Sequence, residues 1–291
     1  MFDYQRFFLD NGLEVIVHED SSSKIAVFNL LYKVGSRFEK PGKTGLAHFF
    51  EHLMFGSSAH VEEFDRELER VGGSCNAFTS PDITNYYMTL PSSNLETAFW
   101  LESDRMAHLS LTEKTIETQR KVVLEEYKQR YLSPPYGDVW HHLRRLTYEV
   151  HPYRWPTIGA NLADIEGYTR DMIWEFYQEH YHPGNAILVV AGDVTQKEVA
   201  RLAEKWFGPI PSKKKSSSPI LVEPVQIQKK SLEIQAKVPT DALYKVFKMP
   251  AKGELGYLEA DLISDLLGGG KSSPLEQRLV KNGKIFASIG A

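Results

Sequence analysis

Hydrophobic positions recur along this chain with two periods, and the switches between them map its elements. EVIVHED (14–20) and KIAVFNLLYKVG (24–35) are rich in β-branched and aromatic residues and predict strands. Asn11-Gly12 ahead of the first predicts a tight turn. KPGKTG (40–45) breaks the pattern, and Thr44 is then placed to cap a helix over roughly 45–55. HVEEFDRELERVGG (60–73) carries apolar residues at 61, 64, 68 and 71, a helical period that Gly72-Gly73 stops. SCNAFTSPDITNYYMTLP (74–91) predicts two extended segments around Ser80-Pro81-Asp82. Helices are expected over 92–108, 112–131, 136–148 and 169–181, with Pro134-Pro135 following the second. NAILVVAGDV (185–194) predicts a buried strand, and 195–208 a helix capped by Thr195 with Glu198 at the capping-box position. Strands, helices, strands and helices in that order predict an α+β fold, an antiparallel sheet layered with helices, rather than a regular βαβ alternation.

Beyond this point the pattern lapses. GPIPSKKKSSSPILVEP (208–224) has no periodicity and is rich in Pro, Ser and Lys, so it reads as a linker, with Lys213–Lys215 part of a solvated loop. Strand-like segments at 231–238 and 243–249 and a helical GELGYLEADLISDLLGG (253–269) follow. HLMFGSSAHVEEFDRELERVGG (52–73) is echoed by DLLGGGKSSPLEQRLVKNGK (265–284): apolar helix end, small-residue break, second helix, glycine stop. The expected organisation is a first domain over 1–210, a linker over 211–228, and the start of a second, related domain over 229–291. Superposing Leu53 on Leu266 sets Asp261, Ser264 and Asp265 against His48, Glu51 and His52. The second copy is far shorter than the first, so the chain is expected to be a piece of a longer protein or to be completed by a partner.

The net charge of −4 argues against a general nucleic-acid binder. Cys75 is the only cysteine, so no internal disulfide can form, which fits a reducing compartment. No apolar run approaches the roughly 20 residues that span a bilayer. The start lacks a basic, then apolar, leader pattern; the expected location is the cytoplasm, or the periplasm if a leader has been removed.

The candidate chemistry lies in GLAHFFEHLMFGSS (45–58). On a helix, His48 and His52 stand one above the other and can aim at one point about 2 Å from each nitrogen, the zinc–nitrogen distance. Glu51 flanks that face, in the order H-x-x-E-H, the inverse of the better-known H-E-x-x-H. Phe49, Phe50, Leu53, Met54 and Phe55 make the helix apolar around nearly its whole girth. Unpaired His and Glu on a buried helix cost several kcal/mol, and a metal would satisfy all three. A catalytic zinc takes three protein ligands and keeps one position open, so a third ligand, Asp or Glu, is required elsewhere. Glu125 and Glu126, after the apolar VVL, are candidates; they diverge by about 100° on a helix, and spacing leaves the choice open. His141 and His142 read as surface or packing residues, and His18, His108, His151 and His180 show no ligand spacing with a partner. Trp100, Trp140, Trp155 and Trp174 read as core.

VGSRFEKPGKTGLAHFFEHLMFGSS (34–58), GGSCNAFTSPDITNYYMTLP (72–91) and RKVVLEEY (120–127), in that order, resemble the pitrilysin/insulinase-type metallopeptidases, a family that includes the mitochondrial processing peptidases and many bacterial zinc proteases. The resemblance runs through residues 10–208 and weakly to the end. It implies that His48, His52 and Glu126 bind Zn2+ and that Glu51 is the base that activates water. A further glutamate common in the family, seven positions before the third ligand, is Gln119 here. The resemblance also implies a substrate lying as an added strand along a sheet edge, with Asn76, Ala77 and Phe78 as candidate contacts, and a fold of two related halves. The expected function is a zinc endopeptidase acting on peptides or unfolded segments held in extended form, alone, as a homodimer or with a related second subunit. The alternative is a catalytically weak or inactive relative serving as a peptide-binding or assembly subunit, which Gln119 favours.

Overall fold

Six strands make one sheet in the computed structural model, which describes residues 3–213 and 221–291. They are β1 Gln5–Phe8, β2 Glu14–Glu19, β3 Ile25–Tyr32, β4 Ser74–Thr79, β5 Thr84–Pro91 and β6 Ala186–Gly192. Their spatial order is β1-β2-β6-β3-β5-β4, antiparallel except for the β2–β6 pair. Burial alternates along β3: Ala26, Phe28, Leu30 and Tyr32 are enclosed while Ile25 and Val27 on the other face are exposed. One face of the sheet therefore holds the core, as the period of two predicts.

The helices are α1 Leu46–Leu53, α2 Phe64–Glu69, α3 Leu95–His108, α4 Glu113–Tyr127, α5 Val139–Thr147, α6 Leu162–Glu166, α7 Arg170–His180, α8 Gln196–Phe207 and α9 Tyr257–Gly268. None among the described residues is long and apolar enough to cross a membrane. The α+β reading holds, with the sheet mixed rather than wholly antiparallel.

α1 is a core helix. Leu46, Ala47, Phe49, Phe50 and Leu53 are buried, and the Phe50 ring stacks on Phe176 and Tyr181 at 5.3 and 5.0 Å. Its start differs from expectation. Thr44 does not cap it; the Thr44 hydroxyl donates to Asp164 at 2.5 Å instead. Gly45 takes the first position with φ of 92°, a left-handed conformation that glycine adopts without strain. The free N–H groups are met by the buried carboxylate of Glu39, which accepts from Gly45 at 2.7 Å and Ala47 at 2.8 Å. A carboxylate there also suits the positive end of the helix dipole. Thr195 caps α8 as expected, its side chain accepting from the Glu198 N–H.

α2 is shorter than its apolar period. Residues before Phe64 are drawn into a tied loop, with Ser58 bridging Leu109 and the Ala59 N–H donating to the His108 carbonyl at 3.0 Å. Those outside bonds hold the stretch from 57 to 61 away from helical geometry.

The molecule divides into two units, Met1–Thr240 and Asp241–Ala291. Of the expected linker, Lys214 to Ile220 lie outside the described residues; Lys213 donates to the Gln178 side chain. The segments at 231–238 and 243–249 are not strands: neither has a ladder partner among the described residues. In the second unit α9 is entered as α1 is. Gly42 and Gly45 have φ of 82° and 92°, and Gly253 and Gly256 both have 92°. This shared turn sets Gly45 on Gly256, two residues from the register expected from sequence. His48, Glu51 and His52 then fall opposite Glu259, Leu262 and Ile263. In either register the second copy lacks the histidines.

Candidate metal centre

α1 packs against α4, and the contact brings together three groups distant in sequence. His48 and His52, one turn apart, present their rings edge to face, 4.8 Å between centres and 72° between planes. Glu126 enters from the last turn of α4. Its Oε1 lies 3.6 Å from His48 Nε2 and its Oε2 3.2 Å from His52 Nε2. The ligand atoms of the three residues lie within 4.8 Å of one another, and no other group of three or more His, Cys, Asp or Glu does so among the described residues. The choice between adjacent glutamates follows from helix geometry. Glu125, turned away, is 61% exposed and pairs with Lys128, whereas Glu126 is 17% exposed.

Electrostatics mark the cluster as set for a cation. Burial holds His48 well below the usual imidazole range and so neutral, against the pull of Glu126. Glu126 is held below the carboxylate range, chiefly by the hydrogen bond with His52, against the effect of burial. A neutral imidazole at His48 and an ionised carboxylate at Glu126 are the states in which such groups bind a metal. Two imidazole nitrogens and one carboxylate fit the donor set of a catalytic zinc. His48 Nδ1 is buried without a hydrogen-bond partner among the described residues, so no acceptor behind the ring fixes its tautomer.

Glu51 sits one residue before His52 and is half-buried. Burial raises its pKa, and a hydrogen bond from Thr79 opposes that rise. The Thr79 hydroxyl donates to Glu51 Oε2 at 2.5 Å. Sequence reasoning missed Thr79, although it directly follows Phe78 in the quoted NAFT. It also missed Arg130, whose Nη1 lies 3.0 Å from Glu126 Oε1. Arg130 stands on a single wide turn, Lys128–Leu132, that continues α4 with π-type bonding. Such turns often occur at functional sites. Glu51 and Glu126 thus each have one partner from outside the helix pair's histidines, a hydroxyl bond from Thr79 for Glu51 and an ion pair with Arg130 for Glu126. Gln119 is half-buried, two turns before Glu126.

β4 is the outer strand of the sheet, next to β5 alone. Asn76 and Phe78 are exposed on it, and Ala77 is half-buried. The Asn76 side-chain oxygen accepts from the Ala77 N–H at 2.8 Å. The remaining histidines and tryptophans divide. His141 is buried, its Nε2 2.9 Å from the Tyr127 hydroxyl, and His142 pairs with Asp138. Trp155 is core, donating to the Ser36 carbonyl at 3.0 Å. Trp140 and Trp174 are instead 60% and 50% exposed; each lies on the outer face of an amphipathic helix that buries its other side.

Comparison with known proteins identifies the family. The model of the insulinase family, peptidase family M16, matches residues 14–160, and that of the peptidase M16 inactive domain matches 167–291. Zinc protease PqqE of Helicobacter pylori is 35% identical over 95% of this chain and 64% of its own length. A probable mitochondrial-processing peptidase subunit beta of Arabidopsis thaliana is 28% identical over 73% of this chain and 40% of its own. The crystal structure of a protease from Helicobacter pylori superposes with a TM-score of 0.86 at 32% identity, over 99% of this chain and 70% of that one. The chain thus spans about two thirds of the length of these bacterial relatives. Zinc is the metal named for such relatives, and with half its length matched by the family model the chain belongs to the insulinase family of peptidases, peptidase family M16.

Proposed function

We propose that this protein is a zinc-dependent endopeptidase that hydrolyses peptides or unfolded segments bound in extended form. The observation that carries the reading is the convergence of His48, His52 and Glu126, from two helices, beside Glu51. His48, His52 and Glu126 would hold the zinc, and zinc so held supplies Lewis acidity that brings the pKa of water to about 7. Glu51 takes the proton from the attacking water and delivers it to the leaving amine. Burial raises its pKa, the direction that helps Glu51 hold the proton between the two halves of that exchange. Thr79 keeps one oxygen of Glu51 hydrogen-bonded, which limits the rotation of its carboxylate.

The substrate adds to the sheet beside β4, with Asn76, Ala77 and Phe78 as its contacts. An edge strand offers unpaired N–H and C=O groups to an extended chain. The Ala77 N–H is already taken by Asn76, so Asn76 has to turn aside for a peptide to use that group. Residues 1–210 are read as the catalytic module and 229–291 as the start of a second module without a metal site, a reading supported by the shared helix entry. Gln119 favours a second reading, a peptide-binding or assembly subunit of low activity.

One assay separates the two. Zinc-loaded protein in its intact length should cleave an unstructured quenched peptide, lose the activity on chelation, and regain it with about one equivalent of zinc. Cleavage that persists in chelator, or no cleavage by the zinc-replete protein, contradicts the peptidase reading.

A further inference from the structure

A second pair of histidines meets away from the cluster. His60 lies in the tied loop between α1 and α2, and His108 ends α3. Their rings are 5.7 Å apart with 79° between planes, the edge-to-face arrangement that His48 and His52 show at 4.8 Å and 72°. Two imidazoles that share one ion at about 2.1 Å per nitrogen place their ring centres about 5–6 Å apart, so the separation suits a common ligand.

The approach is held from behind. Asp104, one helical turn before His108, is buried. Its Oδ1 lies 2.6 Å from His60 Nδ1, and its Oδ2 accepts from the His60 N–H at 3.1 Å and from the Ser58 hydroxyl. Burial works against charge on Asp104, but the bonds from His60 and Ser58 prevail and hold its carboxyl below the usual range. With Asp104 against Nδ1, Nε2 is the His60 nitrogen left to meet a ligand. A carboxylate behind an imidazole is the support that metal-binding histidines typically have. The His60 side chain is 66% exposed, and His108 is exposed as well. The Ala59 N–H bond to the His108 carbonyl fixes the loop against the helix end, so the two rings do not depend on each other to meet.

We infer that His60 and His108 form a second metal site, for a divalent transition-metal ion of the zinc, nickel and copper class, with Asp104 orienting His60. Water completes the coordination. With two protein ligands the site binds more weakly than the three-ligand cluster, and its order of preference follows the general rise from nickel to copper. An ion there clips the segment leaving α1 to the end of α3.

The test is a calorimetric titration of the zinc-loaded protein with Ni2+ alone. The wild type is expected to bind about one Ni2+ beyond the zinc, and His60→Ala and His108→Ala each to weaken that event at least about tenfold. His52→Ala, which alters the proposed zinc cluster, is expected to leave it in place, so the two sites can fail separately. His108→Ala changes an exposed side chain and should melt with the wild type without nickel, whereas His60→Ala also removes a partner from buried Asp104 and is expected to melt lower. The absence of the extra event in the wild type, or its persistence at full strength in both variants, overturns the assignment.

Discussion

Glu51→Gln is expected to lower peptide hydrolysis by about a hundredfold to ten-thousandfold, the usual worth of a general base. Glutamine keeps the shape and can still accept the Thr79 hydroxyl bond, which is 2.5 Å long in the native protein. It cannot take a proton from water. Glu51 points beside the cluster and is not one of the three convergent groups, so zinc content should stay at the native level. Measuring kcat/KM together with bound zinc separates the two roles. A zinc-loaded Glu51→Gln protein with native activity would remove Glu51 from the chemistry, while loss of both zinc and activity would recast it as a ligand.

The second large effect concerns stability. Arg105→Ala is expected to cost about 3–5 kcal/mol, the penalty for stranding one partner of a buried ion pair. Arg105 is 2% exposed and Glu102 fully enclosed. The guanidinium Nε donates to Glu102 Oε2 at 2.7 Å and Nη1 to the Met54 carbonyl at 3.1 Å. It also lies 4.3 Å from the centre of the Phe64 ring and 4.4 Å from that of Tyr86. Burial pushes the Glu102 carboxyl up, and Arg105 pulls it back. Without Arg105 the carboxylate must either protonate or remain charged without a partner, and Met54 at the end of α1 loses its donor. Replacing both residues with apolar ones of similar size should cost less than Arg105→Ala, since no charge is left behind. Urea unfolding of the two variants measures this. A loss below about 1 kcal/mol for Arg105→Ala would mean that the pair is not coupled to the core.

How far the sequence revealed these features depended on the range of the information each one needed. α1, with His48, Glu51 and His52 on it, was legible because a helical period and an apolar run are local. The strands β2, β3, β5 and β6 were legible for the same reason. Their order was not: β6 inserts between β2 and β3, and a hydrophobic stretch carries no record of its neighbours. The choice of Glu126 over Glu125 depended on which side of α4 meets α1, a matter of packing that only the family resemblance had anticipated. Thr44 misled because a good capping residue stood at the right place, while Glu39, further back, took over the task through a turn that brings it to the helix end. Thr79 and Arg130 gave no signal, since one depends on where β4 ends relative to α1 and the other on a wide turn within a helical sequence. The His60–His108 pair is separated by α2, the β4–β5 hairpin and nearly all of α3, beyond any spacing rule.

The most direct measurement is anomalous diffraction at the zinc edge on crystals of the zinc-loaded protein. One strong peak is expected about 2.0–2.2 Å from Nε2 of His48, Nε2 of His52 and a Glu126 oxygen, with no fourth protein ligand. No peak at these three residues, or Glu126 turned away from both rings with zinc bound, would contradict the account.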